Sequence, residues 1–248
     1  MNSTSIARLF RAELTRIAKL PGLYTAIGIS SILNLGSFSR SMNAEMPFSV
    51  QGAAIATSLL EITLLVWASQ YGASAYDSGS ITRFVFIAGK KQQALLIRFA
   101  VVAVATAFAI LATFILALIG GLILGAATQT PFEFGEILWL EDLRIIAVVF
   151  WLSLLGFFAG LVARNKALAS AGSLGLLLVP AVTLVLTAPE LVQYMPLEIA
   201  ARFVAGPDAT IQGSVSFAQA SLTLVISLVL FGASGWLRAI SRKTKRLL

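Results

Sequence analysis

Few side chains in this sequence could do chemistry. There is no histidine and no cysteine, which removes the commonest metal ligand, the commonest general base and any thiolate nucleophile. No Ser-His-Asp set and no His-Glu-x-x-His zinc site can be built. No G-x-x-x-x-G-K-[ST] loop cradles a nucleotide phosphate, so the chain itself is not expected to be an enzyme or to hold a cofactor. Carboxylates adjoin at Glu141 and Asp142, in an acidic stretch with Glu133 and Glu136 that reads as a solvated loop. Two other acids stand in unusual settings. Glu61 is the one acid inside a long apolar run, about residues 51–75, and Glu13 falls on the apolar side of a basic N-terminal helix.

The remaining polar chemistry is concentrated between Tyr71 and Arg98, a stretch flanked by two apolar runs. Asp77, Arg83, Lys90, Lys91 and Arg98 make it too charged to cross hydrocarbon. Gly79 ends the preceding helix, and Ser80 is a side-chain cap for a new one. Residues 81–88 then give two turns, about 12 Å at 1.5 Å per residue. Gly89 supplies a left-handed stop, with Lys90 and Lys91 where open carbonyls favour cations. A capped, mostly apolar helix flanked by charge is either a docking element or a surface helix resting on lipid headgroups.

The elements that position these residues are membrane spans. The chain has 248 residues, 58% hydrophobic and 12% charged, which excludes an ordinary soluble domain and reads as a polytopic membrane protein. The net charge of +7 is assigned to cations retained on the cytoplasmic side, not to a nucleic-acid partner. The N-terminus lacks the short apolar core and small-residue cleavage site of a signal peptide.

Residues 1–19 are expected to form an interfacial amphipathic helix. Ile6, Leu9, Phe10, Leu14 and Ile17 take one side and Arg8, Arg11, Arg16 and Lys19 the other. Six spans follow, at about 20–38, 51–75, 99–126, 145–163, 167–187 and 217–240, the fifth interrupted at Pro180. Arg164-Asn165-Lys166 makes a tight turn, and a second interfacial helix is expected after Met195-Pro196. Gly121/Gly125 and Gly156/Gly160 are small-residue pairs that permit close helix contact. The fold class is therefore an all-α integral membrane protein, a single domain over 1–248. Of the 18 Lys and Arg, fifteen fall on the N-terminal side of this topology and three, Arg40, Arg144 and Arg202, on the other. By the positive-inside rule both termini are cytoplasmic. A carboxylate on an apolar side is costly alone, so Glu13 either pairs with a nearby cytoplasmic cation, Arg83, Arg98 or Arg164, or reaches headgroup water.

These residues resemble the permease subunits of ABC-2 type exporters. The N-terminal RLFRAELTRIAKLPG is similar to their basic connecting helix, which carries Glu13. Tyr76-Asp77-Ser78-Gly79-Ser80 resembles the Glu and Gly-Thr element before their coupling helix, with Asp77 for Glu and Ser80 for Thr. Gly89-Lys90-Lys91 replaces the Pro-Arg that follows it, and Arg98 stands for the lysine opening the third span. LGFFAGLVAR, residues 155–164, resembles the end of their fourth span, and Tyr194-Met195-Pro196 their last outer loop. The likeness runs through nearly the whole chain and rests on the order of the motifs.

The resemblance implies a bacterial cytoplasmic-membrane exporter working by alternating access. Its partners would be a second permease copy, identical or sister, and separate ATPase subunits that bind ATP and magnesium. Residues Asp77, Gly79, Ser80, Arg83, Phe84, Phe86, Gly89 and Lys90 would couple to the ATPase, with Phe84 or Phe86 as apolar anchors. Glu61 either lines the translocation path or is a protonated, hydrogen-bonded group, because an ionised carboxylate at mid-membrane is costly. A reading from another class also stands: a membrane interaction protein, an immunity or assembly factor, that transports nothing.

Overall fold

Residues 91–128 are dominated by Ala, Leu, Ile and Val, contain no proline, and form one helix of 38 residues. That is about 57 Å at 1.5 Å per residue, roughly twice a 30 Å hydrocarbon core. The computed structural model describes residues 3–19, 21–42, 48–49, 60–77, 91–129, 132–133, 139–207 and 215–240. Its helices are α1 (Ser3–Ala18), α2 (Pro21–Met42), α3 (Leu60–Asp77), α4 (Lys91–Thr128), α5 (Trp139–Ala163), α6 (Lys166–Thr187), α7 (Pro196–Ala205) and α8 (Phe217–Ile240). A 3₁₀ segment, Pro189–Tyr194, joins α6 to α7. Two dipeptides, β1 (Phe48–Ser49) and β2 (Phe132–Glu133), pair in parallel. The described chain is otherwise all-helical.

Among the described residues, three helical stretches are long and apolar enough to cross a membrane: Lys91–Ala127, Asp142–Ala163 and Phe217–Ile240. Their exposed faces are as apolar as their buried ones. On α4, Val104, Phe108, Leu111, Ile115 and Leu122 are exposed opposite buried Val101, Val102, Ala105 and Ala109. On α8, Leu222, Val225, Val229 and Leu230 are exposed, whereas Ala220, Leu224, Gly235 and Ala239 are buried. A helix in water places polar residues on its outer face, so these outer faces are suited to lipid.

Helices α3 and α5 meet backbone to backbone. A Cβ on Gly156 would collide with the Leu65 carbonyl, one on Gly160 with the Ser69 carbonyl, and one on Gly72 with the Phe157 carbonyl. The Gly156/Gly160 pair thus forms the α5 side of this contact, as small residues do between membrane helices. Buried hydroxyls tie the other helices in. Thr106 and Ser153 lie 2.7 Å apart across α4 and α5. Ser30 and Thr63 lie 3.1 Å apart across α2 and α3. The Trp151 indole donates to the Leu224 carbonyl at 3.0 Å and the Ser227 hydroxyl at 3.1 Å, joining α5 to α8.

The turn at 164–166 forms as its residues suggest. Arg164 takes φ 59°, its N–H bonds the Gly160 carbonyl at 3.0 Å, and the Asn165 side chain accepts the Leu168 N–H at 3.0 Å. Three expectations change. The fifth expected span is one continuous helix, α6, from Lys166 to Thr187, with no interruption at Pro180. Proline removes one backbone hydrogen bond and crowds the preceding turn, which bends a helix without having to end it. The fourth helix in sequence begins at Lys91, two turns before the expected boundary at 99. On α1, Ile6 is 39% exposed although the pattern puts it on the apolar side, and Glu13 is buried. That side of α1 packs on protein near Glu13 rather than resting wholly on lipid.

The bundle has two ends. β1 follows α2 and β2 follows α4, so their pairing brings the ends of α2 and α4 together. That end also holds the start of α5, where Arg144 donates to the Val204 carbonyl of α7 at 3.3 Å and lies 5.6 Å from the Phe217 ring of α8. Arg202 of α7 is buried and donates to the carbonyls of Val215 and Gly206 at 3.0 and 2.5 Å, fixing the helix expected after Met195-Pro196. At the opposite end Arg164, after α5, lies 5.0 Å from the Tyr76 ring near the close of α3 and donates to the Arg238 carbonyl of α8 at 2.6 Å.

Candidate functional site

At that second end α1, α3 and α4 converge on a buried polar cluster. Arg98 is 1% exposed, Tyr71 3% and Glu13 4%. The Tyr71 hydroxyl donates to Glu13 Oε1 at 2.7 Å. Arg98 Nη2 donates to the Tyr71 carbonyl at 2.9 Å and the Ser74 hydroxyl at 3.0 Å. The same nitrogen lies 3.9 Å from Glu13 Oε1, and the guanidinium carbon 4.4 Å from the Tyr71 ring. Arg16, one turn along α1, donates to Glu13 at 3.2 Å from the solvent side.

Each contact follows from position. Tyr71 and Ser74 are three apart on α3, so they share a face. Trp67, one turn earlier, stacks on Tyr71 at 5.8 Å between centroids. Phe157 of α5 closes the other side of Tyr71 at 6.4 Å. Enclosed by rings, a carboxylate and a guanidinium are tolerable only as a hydrogen-bonded set, since either one alone would be strongly penalised. The cluster therefore locks three helices in one relative position. It has no nucleophile or metal-ligand set; no group of three or more metal-ligating side chains occurs among the described residues.

Of the cations considered for Glu13, Arg98 is the one beside it. Arg164 instead engages Tyr76 and Arg238, and Arg83 lies outside the described residues. Tyr71 and Arg16 are partners that sequence reasoning missed. The signal for Tyr71 was present: a tyrosine in an apolar helix needs somewhere for its hydroxyl to go. Arg98 reads in the sequence as a boundary residue, and the structure buries it.

Asp77 is the last residue of α3. Gly79, Ser80, Arg83, Phe84, Phe86, Gly89 and Lys90 all lie outside the described residues. The helices that bracket them, α3 and α4, are the two that Arg98 joins. Glu61 is in the first turn of α3 as described and is half-buried. Thr63 does not serve it: that hydroxyl bonds the Leu60 carbonyl at 3.1 Å and pairs with Ser30. The structure does not bring Glu61 and the Glu13 cluster together, since ten residues of α3 separate Glu61 from Tyr71.

No family model, no curated protein and no solved structure matches the chain.

Proposed function

We propose that this chain is the permease subunit of an ATP-driven ABC-2 type exporter. The observation that carries the reading is the buried Glu13–Tyr71–Arg98 cluster. It joins an N-terminal helix to both helices flanking residues 78–90, the segment with the features of a docking element. A force applied to that segment reaches α3 and α4 at their bases, and the cluster keeps α1 moving with them.

In this reading six spans cross a bacterial cytoplasmic membrane: α2, α3 with the residues preceding it, α4, α5, α6 and α8. Both termini and residues 78–90 are cytoplasmic. The charge distribution supports this orientation, since Arg16, Lys91, Arg98, Arg164, Lys166 and Arg238 gather at one end and Arg144 and Arg202 at the other. Two copies, or one copy and a sister permease, pair with two ATPase subunits. ATP and magnesium are bound there. Closure of the ATPase pair pushes on residues 80–88 and turns the helices from inward to outward access. Glu61, acidic and half-buried in α3, lines the path.

The test is the double variant Phe84→Ala with Phe86→Ala. Buried aromatic anchors often carry roughly 2 kcal/mol or more of an interface. Transport-coupled ATP turnover should fall at least about tenfold while the membrane level stays normal. Turnover and transport at the wild-type level would contradict docking through this segment.

A further inference from the structure

A second feature lies beside the cluster and is independent of transport. α1, α2, α3 and α6 line an open cavity of about 180 Å³ at the same end of the bundle. Arg16, Lys166 and Gln70 line it together with the apolar Trp67, Pro21 and Gly22. Arg16 and Lys166 give its lining two cations; Arg16 pairs with Glu13, and Lys166 forms no ion pair among the described residues. Drug-sized ligands occupy about 300–1,000 Å³, so this space suits a compact anionic group instead. α2, which flanks it, exposes Ile29 and Ile32 further along the face that carries Pro21 and Gly22. A molecule with its anion in the cavity would have its apolar part against these residues. Tryptophan and tyrosine beside cations are also the side chains that settle at headgroup depth.

We infer that this cavity binds the phosphate headgroup of an anionic phospholipid, with the acyl chains lying along α2. Arg16 and Lys166 hold the phosphate, Gln70 offers an amide N–H, and the Trp67 ring supports the glycerol. The full-length chain in mild detergent would be titrated with phosphatidylglycerol and the bound lipid counted by native mass spectrometry. Lys166→Gln should weaken retention about fivefold, and Arg16→Gln with Lys166→Gln by more than about tenfold, from roughly one factor of five per cation. Arg8→Gln with Arg11→Gln, on the exposed side of α1, should leave it unchanged. Because Arg16 also touches Glu13, Lys166→Gln alone decides the matter if the double variant does not fold. Three results would overturn the inference: equal retention of phosphatidylcholine, equal loss in the Arg8/Arg11 variant, or displacement of the lipid by glycerol phosphate at the same concentration.

Discussion

The hydroxyl of Tyr71 donates to Glu13 at 2.7 Å, across 58 residues of chain. Neither group would be stable in this place alone. The tyrosine would leave a polar atom against apolar walls, and the carboxylate would be a buried charge. Together with Arg98 they form a closed set in which a basic surface helix becomes part of the bundle.

Removing a second member should therefore add little to the cost of removing the first. Tyr71→Phe should destabilise the protein by about 1–2 kcal/mol, a hydrogen bond to a charged group in a membrane setting. Glu13→Ala should cost about 3–5 kcal/mol because it takes the neighbouring carboxylate from the buried Arg98 charge. Glu13→Ala combined with Arg98→Met should lose little beyond the single change. Unfolding in mixed micelles, analysed as a double-mutant cycle, checks this, with strictly additive losses as the contrary result.

The α3–α5 contact leads to a separate expectation. Gly160→Ala puts a methyl against the Ser69 carbonyl, on backbone that cannot move aside as a side chain could. It should destabilise the bundle by about 1–3 kcal/mol. Gly172→Ala on α6, where a Cβ meets nothing within 4 Å, should be neutral or slightly stabilising. Comparing thermal aggregation midpoints of the two variants separates close packing from a general intolerance of glycine changes.

Much of the helical frame was legible because apolar length is a strong signal. α8 occupies 217–240 in both the pattern and the structure, and the turn at 164–166 follows from its polar residues. Boundaries set by tertiary partners were not legible. Arg98 reads as the edge of the membrane, since a guanidinium in hydrocarbon is costly. The structure buries it by supplying a carbonyl, a hydroxyl, a ring and a carboxylate from two other helices. Pro180 reads as a break because its local effect is visible in sequence, whereas the helical turns on both sides that carry α6 through it act cooperatively. Glu13 was legible as needing a partner, but Tyr71 as that partner required knowing which helices meet.

Sidedness is tested by introduced cysteines, which are unambiguous because the chain has none of its own. Cysteines at positions 43, 137 and 208 should react with an impermeant thiol reagent added outside intact cells. Those at 4, 90 and 244 should react after the membrane is opened and not before. External labelling at position 90 would place the docking segment on the wrong side for any ATPase.

The most direct measurement is affinity purification of this chain from its native membrane, with the copurifying proteins identified by mass spectrometry. A subunit carrying a phosphate loop and an LSGGQ-like signature should be recovered in a ratio of about one per permease, the stoichiometry of a transporter built from two of each, and lost from the Phe84→Ala/Phe86→Ala variant. Recovery of a stable complex that contains no ATPase would contradict the permease assignment and favour a membrane protein that assembles or protects and does not transport.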